Sequence, residues 1–301
     1  MKASPSLLGI EPLDARQITS LLRSARRMAR GRPRPVLRGR HIVLLFYEAS
    51  TRTRVSFELA AQSLGATTYL VHATASSIEK GETLLDTGRT LRAIGADAIV
   101  IRHPSSGAPH LLAKHLDIPI INAGDGMHEH PSQALLDAYT ILERKKRIEG
   151  LRVAVVGDIF HSRVARSDIH LLSRFGARLT LCGPPDLVPD VAVTLAPGLR
   201  VTRSITEALT GADIVMLLRV QKERFAGTEL RPESYAAEYQ LTPERLRLAK
   251  RDAIVMHPGP MIRGMEVDDA VADSTQAVIL DQVRNGVAVR RAILAHVLGA
   301  A

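Results

Sequence analysis

Residues 41–71 read HIVLLFYEASTRTRVSFELAAQSLGATTYLV. The apolar run at 41–46 and the run TTYLV at 67–71 predict two strands. Residues 53–65 between them predict a helix, because apolar side chains recur at i, i+3, i+4 and i+7 from Phe57 onward. A strand, a helix and a second strand in this order are typical of a parallel sheet.

The same alternation continues along the chain, with no internal repeat and no long flexible linker. It predicts an α/β fold with two domains, each a mainly parallel sheet flanked by helices, joined by the helix that follows Pro131. In sheets of this kind, ligands bind at the carboxyl ends of the strands. The further predicted strands are 97–101, 118–121, 152–156, 178–182, 213–217 and 253–256, and the further predicted helices are 83–94, 107–115, 131–147 and 287–298.

The composition narrows the classes of function. The 301 residues carry 40 basic and 31 acidic side chains, a net charge of +9, which raises the question of nucleic acid. Aromatic residues are only 3% and tryptophan is absent, so stacking surfaces for bases are scarce. We therefore expect no nucleic-acid partner and assign several arginines to a small anionic substrate.

The single cysteine, Cys182, excludes an intrachain disulfide and lies in an apolar run typical of a buried thiol. No stretch of 18 apolar residues occurs, and residues 1–14 lack the apolar core of a secretion signal. We expect no membrane partner and a cytoplasmic location.

Five consecutive residues with donor side chains, Ser50 to Arg54, stand between the first predicted strand and its helix. A helix N-terminus offers free backbone N–H groups and the positive end of the helix dipole. Hydroxyls and guanidiniums beside it favour an oxyanion such as phosphate. The glycine spacing and the lysine of a Walker A loop are missing. The alternative is an ordinary N-cap followed by solvated arginines.

Two other segments suggest cofactors only at first sight. His128, Glu129 and His130 are spaced i, i+2 before a proline, which is not the helical spacing of a zinc protease, so we expect no metal. Gly157 and Asp158 follow a predicted strand but lack the GxGxxG pattern, so we expect no nicotinamide or flavin cofactor.

Taken together, STRTR at 50–54, HPSQ at 130–133 and HPGP at 257–260 resemble the carbamoyltransferase family over nearly the whole chain. SSIEKGET at 76–83 and RVQKER at 219–224 resemble the aspartate-specific members, whereas ornithine-specific members have HCLP in place of HPGP. The resemblance implies carbamoyl transfer from carbamoyl phosphate to L-aspartate in pyrimidine biosynthesis, without a cofactor. A different amine acceptor and a non-catalytic subunit on the same fold are the alternatives.

The resemblance also implies a set of site residues for carbamoyl phosphate. They would donate to its phosphate and carbamoyl oxygen, or accept from its NH₂ group. Lys80, Arg52, Thr53, Arg102 and His130 would be catalytic. The residues expected to bind carbamoyl phosphate are Ser50, Thr51, Arg52, Thr53, Arg102, His130, Gln133, Gly259 and Pro260.

For L-aspartate, the resemblance implies binding by Lys80, Arg163, Arg219 and Gln221. Ser76 and Lys80 would reach the active site of a neighbouring subunit, which implies a homotrimer with shared active sites. Larger assemblies with dihydroorotase or with regulatory chains stay open.

The same resemblance assigns one substrate to each domain. The carbamoyl-phosphate domain is expected to comprise residues 1–131 and 283–301, and the aspartate domain residues 132–282.

Overall fold

The computed structural model describes residues 5–72, 81–220 and 231–300. The chain forms two compact units, one made of Met1–Tyr139 with Val283–Ala301 and the other of Thr140–Gln282. Each unit contains a parallel sheet with helices, so the predicted fold class is confirmed.

The first unit is built on a four-stranded parallel sheet in the order β2-β1-β3-β4. The inner strands are almost wholly buried, whereas β2 forms an edge with mostly exposed side chains. Its strands are β1 (His41–Phe46), β2 (Thr67–His72), β3 (Ala98–His103) and β4 (Ile120–Asp125). Its helices are α1 (Ala15–Arg30), α2 (Thr51–Ser63), α3 (Leu84–Ala93), α4 (Ala108–His115) and the start of α5 (Pro131–Lys145).

The second unit contains a five-stranded parallel sheet in the order β7-β6-β5-β8-β9. Its strands are β5 (Arg152–Val156), β6 (Arg178–Cys182), β7 (Arg200–Thr202), β8 (Ile214–Leu217) and β9 (Ile254–Met256). Its helices are α6 (Arg163–Arg174), a 3-10 helix (Asp190–Leu195), α7 (Ile205–Leu209), α8 (Pro232–Tyr239), α9 (Pro243–Leu246), α10 (Asp269–Ala272) and the start of α11 (Ile279–Val297).

Both sheets reverse their strand order once. In the first sheet the chain runs from β1 outward to β2, then returns to β3 on the other side and continues to β4. In the second sheet it runs from β5 to β6 and β7, then returns to β8 and β9. Connections leave in opposite directions at such a point, so a crevice opens at the carboxyl ends of the two central strands. The crevices are expected beside β1 and β3 in one unit and beside β5 and β8 in the other.

The eight predicted strands are all present, with bounds displaced by at most two residues except at β4, which ends four residues later than predicted, and α5 ends two residues earlier than predicted. The helix α1 was not predicted, although Asp14 and Gln17 form a capping box whose D-x-x-Q spacing is visible in the sequence. The strand β7, the 3-10 helix and the helices α6 to α10 were not predicted either. The last helix begins at Ile279, eight residues before the predicted start at 287.

Cys182 is buried at the end of β6, as expected. Burial raises the pKa of its thiol to about 12. Since the thiolate is the reactive form, this side chain is inert at neutral pH. Among the helices in the described part of the chain, none is long and apolar enough to cross a membrane.

The buried carboxylate of Glu129 holds the N-terminal segment on the first unit. Its two oxygens accept the N–H of Ile10 at 2.9 and 2.8 Å, and one of them also accepts the N–H of Glu11 at 3.1 Å. Gly9 lies so close that a Cβ there would overlap the carboxylate. Leu7 continues this attachment through a parallel bridge to Ile121 in β4. Glu129 is therefore occupied by backbone donors.

Replacing Glu129 should destabilise the protein. Glu129→Ala leaves two backbone N–H groups without their acceptor, and each such loss costs about 1–3 kcal/mol, so we expect at least about 2 kcal/mol less free energy of unfolding. Glu129→Gln keeps one acceptor oxygen and should lose less. The control is Glu58→Ala, which removes a partly exposed pair with Arg54 at 3.8 Å and should change stability by at most about 1 kcal/mol. Denaturant titration measures all three, and equal losses for Glu129→Ala and Glu58→Ala would contradict the assignment.

Candidate active site

The loop after β1 and the start of α2 bring together hydrogen-bond donors that suit an anion, beside the first crevice. Ser50 is the N-cap of α2, and its side chain makes no capping hydrogen bond. The first-turn N–H groups of α2 consequently have no side-chain acceptor from that cap. Thr53 is buried, whereas Thr51 and Arg52 are exposed. Within residues 5–72, 81–220 and 231–300, no carboxylate lies within 4.0 Å of the Arg52 guanidinium.

Arg102 lies at the end of β3, directly across the first crevice from the loop after β1. Its backbone oxygen accepts the N–H of Tyr47 at 2.9 Å. Its guanidinium is half-buried, with Nε 3.5 Å from a carboxylate oxygen of Glu48 and one terminal nitrogen 3.4 Å from the carbonyl oxygen of Ala123. The side chain therefore spans from the loop after β1 to β4. Glu48 was not predicted, and a lone acid after a strand gives no motif that would reveal it.

His130 and Gln133 lie at the start of α5, next to the end of β4. Both side chains are buried, and the His130 Nδ1 atom lies 3.4 Å from the Ser132 hydroxyl. The Gln133 amide nitrogen donates to both carboxylate oxygens of Asp137, at 3.1 and 3.2 Å. A carboxylate can only accept, so this contact fixes which end of the amide is the nitrogen. The amide oxygen of Gln133 is left as an acceptor for a ligand.

The acid that orients Gln133 lies near a buried arginine. Arg290, in α11, is 3% exposed, and its guanidinium carbon lies 5.0 Å from the centroid of the Phe57 ring. Burial lowers the pKa of Arg290 to about 10, while the charge of Asp137 opposes that shift. Asp137 thus contacts Gln133 directly and acts on Arg290 through its charge. The i, i+4 spacing of Gln133 and Asp137 was a signal for this contact, but nothing in the sequence pointed to Arg290.

In the second unit, the loop after β5 leads into α6. Gly157 has a φ of +131° and lies against the backbone of Leu218, where a Cβ would come within 2.7 Å of the Leu218 carbonyl oxygen. This close approach explains the glycine without a dinucleotide site. Arg163 is the first residue of α6, after the N-cap Ser162. A half-buried guanidinium at a helix N-terminus suits a carboxylate.

Glu266 connects two loops of the second unit, the loop after β8 and the loop after β9. Its carboxylate accepts the N–H of Val220 at 2.9 Å and the N–H of Ile262 at 2.6 Å. Burial raises the pKa of Glu266, and the two backbone donors oppose the shift. The loop of Arg219 and the loop of Gly259 are thereby held together within this unit. Arg219 itself is exposed, beside the close approach of Gly157 to Leu218.

The described residues place the predicted site in two groups. The first unit holds Ser50, Thr51, Arg52 and Thr53 after β1, Arg102 at the end of β3, and His130 and Gln133 after β4. The second holds Arg163 and Arg219 at the β5–β8 crevice, with Gly259 and Pro260 in the loop after β9. Ser76, Lys80 and Gln221 lie outside the described residues. The roles of all these side chains stay predictions.

Comparison with known proteins identifies the family. Residues 6–143 match the carbamoyl-P binding domain of the aspartate/ornithine carbamoyltransferases, and residues 149–297 match their Asp/Orn binding domain. The aspartate carbamoyltransferase catalytic subunit of Koribacter versatilis is 63% identical over 297 residues, which cover 99% of this chain and 98% of that one.

Two solved structures are similar over nearly their full length. The aspartate transcarbamoylase of Trypanosoma cruzi, in complex with carbamoyl aspartate and phosphate, has a TM-score of 0.88 and 34% identity, covering 97% of this chain and 95% of its own. The ornithine carbamoyltransferase of Pyrococcus furiosus has a TM-score of 0.90 and 31% identity, covering 99% and 98%. With both domains matched in order, this chain belongs to the aspartate/ornithine carbamoyltransferase family.

Proposed function

We propose that this protein transfers the carbamoyl group of carbamoyl phosphate to the amino group of L-aspartate. The products are N-carbamoyl-L-aspartate and phosphate, and the reaction belongs to de novo pyrimidine biosynthesis. One observation carries the proposal: a chain 63% identical to an aspartate carbamoyltransferase catalytic subunit keeps an arginine-bearing helix N-terminus at the sheet crevice of each unit.

In this proposal, carbamoyl phosphate binds to the first unit. Ser50, Thr51, Arg52 and Thr53 bind its phosphate, together with the first-turn N–H groups of α2. Thr53, Arg102 and His130 donate to the carbamoyl oxygen. The oriented amide oxygen of Gln133 accepts from the carbamoyl NH₂ group.

L-Aspartate binds to groups of the second unit. Arg163 and Arg219 bind its two carboxylates, with Gln221 from the same loop, because guanidiniums bind carboxylates in a bidentate manner. Backbone carbonyl groups of Gly259 and Pro260 face the amino and carbamoyl groups. Ser76 and Lys80 complete the site from the neighbouring subunit.

The reaction needs no protein nucleophile, because phosphate is already a good leaving group. The neutral amine of aspartate attacks the carbamoyl carbon and forms a tetrahedral intermediate, which expels phosphate. The negative charge that develops on the carbamoyl oxygen is stabilised by the fixed donors of Arg102, His130 and Thr53, each worth on the order of 3–4 kcal/mol. The departing phosphate accepts the proton from the amine.

The choice of acceptor tests the proposed function. A colorimetric ureido assay with purified protein and carbamoyl phosphate should show product with L-aspartate and none above background with L-ornithine, because two arginines repel a cationic side chain. Equal rates would contradict the acceptor assignment. No product with either amine, from protein that is folded by circular dichroism, would contradict the function itself.

The arginine at the start of α2 can be tested against its neighbour. Arg52→Ala should reduce kcat/KM for carbamoyl phosphate by at least about 100-fold, or roughly 3 kcal/mol, because a charged donor to phosphate is lost. Arg54→Ala is the matched control, since Arg54 lies two residues away and pairs with Glu58 on the outside of the helix. Steady-state kinetics should separate the two variants, and similar losses would contradict a specific phosphate contact.

We further propose that the protein is a homotrimer with shared active sites and acts in the cytoplasm. The edge strand β2 exposes Tyr69 and Leu70 to 49% and 38%, and Leu59 on the neighbouring α2 is 51% exposed. An exposed apolar edge of this kind favours contact with another subunit. The strand leads directly in sequence to Ser76 and Lys80. The single buried thiol, Cys182, suits a reducing compartment.

Shared sites predict complementation between inactive subunits. When Lys80→Ala and Arg52→Ala chains are dissociated, mixed and reassembled, about a quarter of wild-type activity should return, because roughly three-quarters of random trimers are mixed and each mixed trimer has one intact site. Arg52→Ala mixed with Arg102→Ala is the control and should stay inactive, since both changes affect the same side of the site. No recovery in the first mixture, with trimers shown by light scattering, would rule out shared sites.

A further inference from the structure

We propose that His110, Asp125 and His128 bind one divalent transition-metal ion, of which Zn²⁺ is the best fit. The three residues come from three separate places in the first unit: His110 from α4, Asp125 from the end of β4, and His128 from the loop before α5. One ligand atom of each side chain lies within 4.8 Å of the other two. None of the three has a role in the proposed reaction.

The distances fit a tetrahedral ion. The Nδ1 atom of His128 lies 3.2 Å from the Oδ2 atom of Asp125. Ligand bonds to zinc of about 2.0–2.1 Å place neighbouring ligand atoms of a tetrahedron roughly 3.3 Å apart. The rings of His110 and His128 have centroids 5.5 Å apart and are inclined by 64°. The ligand atom of the exposed His110 lies within 4.8 Å of the other two, so His110 is the side chain that moves to complete the site.

The carboxylate is already held in place by its neighbours. Asp125 is fully buried, and its Oδ1 accepts from the side-chain amide of Asn122 at 2.8 Å and from the N–H of Glu129 at 3.2 Å. Its Oδ2 accepts the N–H of Gly107 at 2.7 Å and keeps a second lone pair. Outer hydrogen bonds of this kind fix the orientation of metal ligands.

The ligand set also selects the class of ion. Two imidazoles with one carboxylate suit zinc and related transition metals better than Mg²⁺ or Ca²⁺, which prefer all-oxygen sites. His110 is exposed and His128 is half-buried, so a water molecule can occupy the fourth position. The ion would connect α4 to the loop that leads to α5.

The spacing of residues 128–130 alone does not predict a metal site. Glu129 is engaged by the backbone of Ile10 and Glu11. The proposed ligands instead combine His128 with residues 3 and 18 positions earlier in the chain, which the fold brings together. The competing interpretation is a plain hydrogen bond from His128 to Asp125 with the His110 ring packed against it.

Spectroscopy on the full chain distinguishes the two interpretations. Chelator-treated protein is titrated with Co²⁺, and its visible ligand-field bands are recorded before and after addition of Zn²⁺. We expect one Co²⁺ per chain with the intense bands of a four- or five-coordinate ion, displaced by Zn²⁺. His110→Ala should weaken Zn²⁺ binding at least about 10-fold, since even outer-sphere partners are typically worth 10–100-fold. His115→Ala, on the same helix and exposed, should bind as wild type.

A thermal measurement gives an independent readout. Zn²⁺ should raise the unfolding midpoint of the wild type and of His115→Ala but not that of His110→Ala. Weak six-coordinate Co²⁺ bands, or equal Zn²⁺ affinity in His110→Ala and wild type, would overturn the proposal. Metal-free His110→Ala should retain wild-type carbamoyl transfer, so failure of the metal site is distinguishable from failure of the proposed function.

Discussion

The reversal of strand order in each parallel sheet is the constraint on which the rest of the molecule depends. Where β1 and β3, or β5 and β8, stand side by side, their connections leave in opposite directions and cannot cover the carboxyl ends of the strands. Each unit starts a helix directly after one of these strands. The helix α2 has Arg52 as its second residue, and α6 has Arg163 as its first. A positive helix end with an added guanidinium therefore occurs once in each unit, and it suits an anion there.

Buried acids keep the loops around these crevices in shape. Glu129 binds two backbone N–H groups of the N-terminal segment, and Glu266 binds one from each of two loops in the other unit. A buried carboxylate is stable only when it is well hydrogen-bonded, and the raised pKa of Glu266 shows that burial is still unfavourable for its charge. Asp137 acts in the same manner on a side chain, because it orients Gln133. The described contacts of these acids are thus structural, with backbone N–H groups for Glu129 and Glu266 and with a side-chain amide for Asp137.

Local patterns predicted much of this architecture, and long-range contacts explain the rest. Apolar runs located the strands of both sheets, and the donors from Ser50 to Arg54 marked the start of α2. The three-residue strand β7 is too short to show a period, and it forms because β6 offers it a partner. Arg290 interrupted the apolar pattern of α11, although the helix buries it near Asp137. Glu48 and Glu266 have partners that are distant in sequence or belong to the backbone, so no motif could reveal them.

The overall fold does not determine which amine accepts the carbamoyl group. The ornithine carbamoyltransferase of Pyrococcus furiosus superposes on this chain as well as the Trypanosoma cruzi aspartate enzyme does, with TM-scores of 0.90 and 0.88. An acceptor with a second carboxylate needs a cation at its binding site, whereas one with a second amine needs an anion. Around the β5–β8 crevice, Arg219 is exposed, while the carboxylates of Asp158 and Glu266 are buried and engaged by His161 and by backbone N–H groups. Among the residues that the structure describes at this crevice, the charge left for a ligand is positive, which favours a dicarboxylate acceptor.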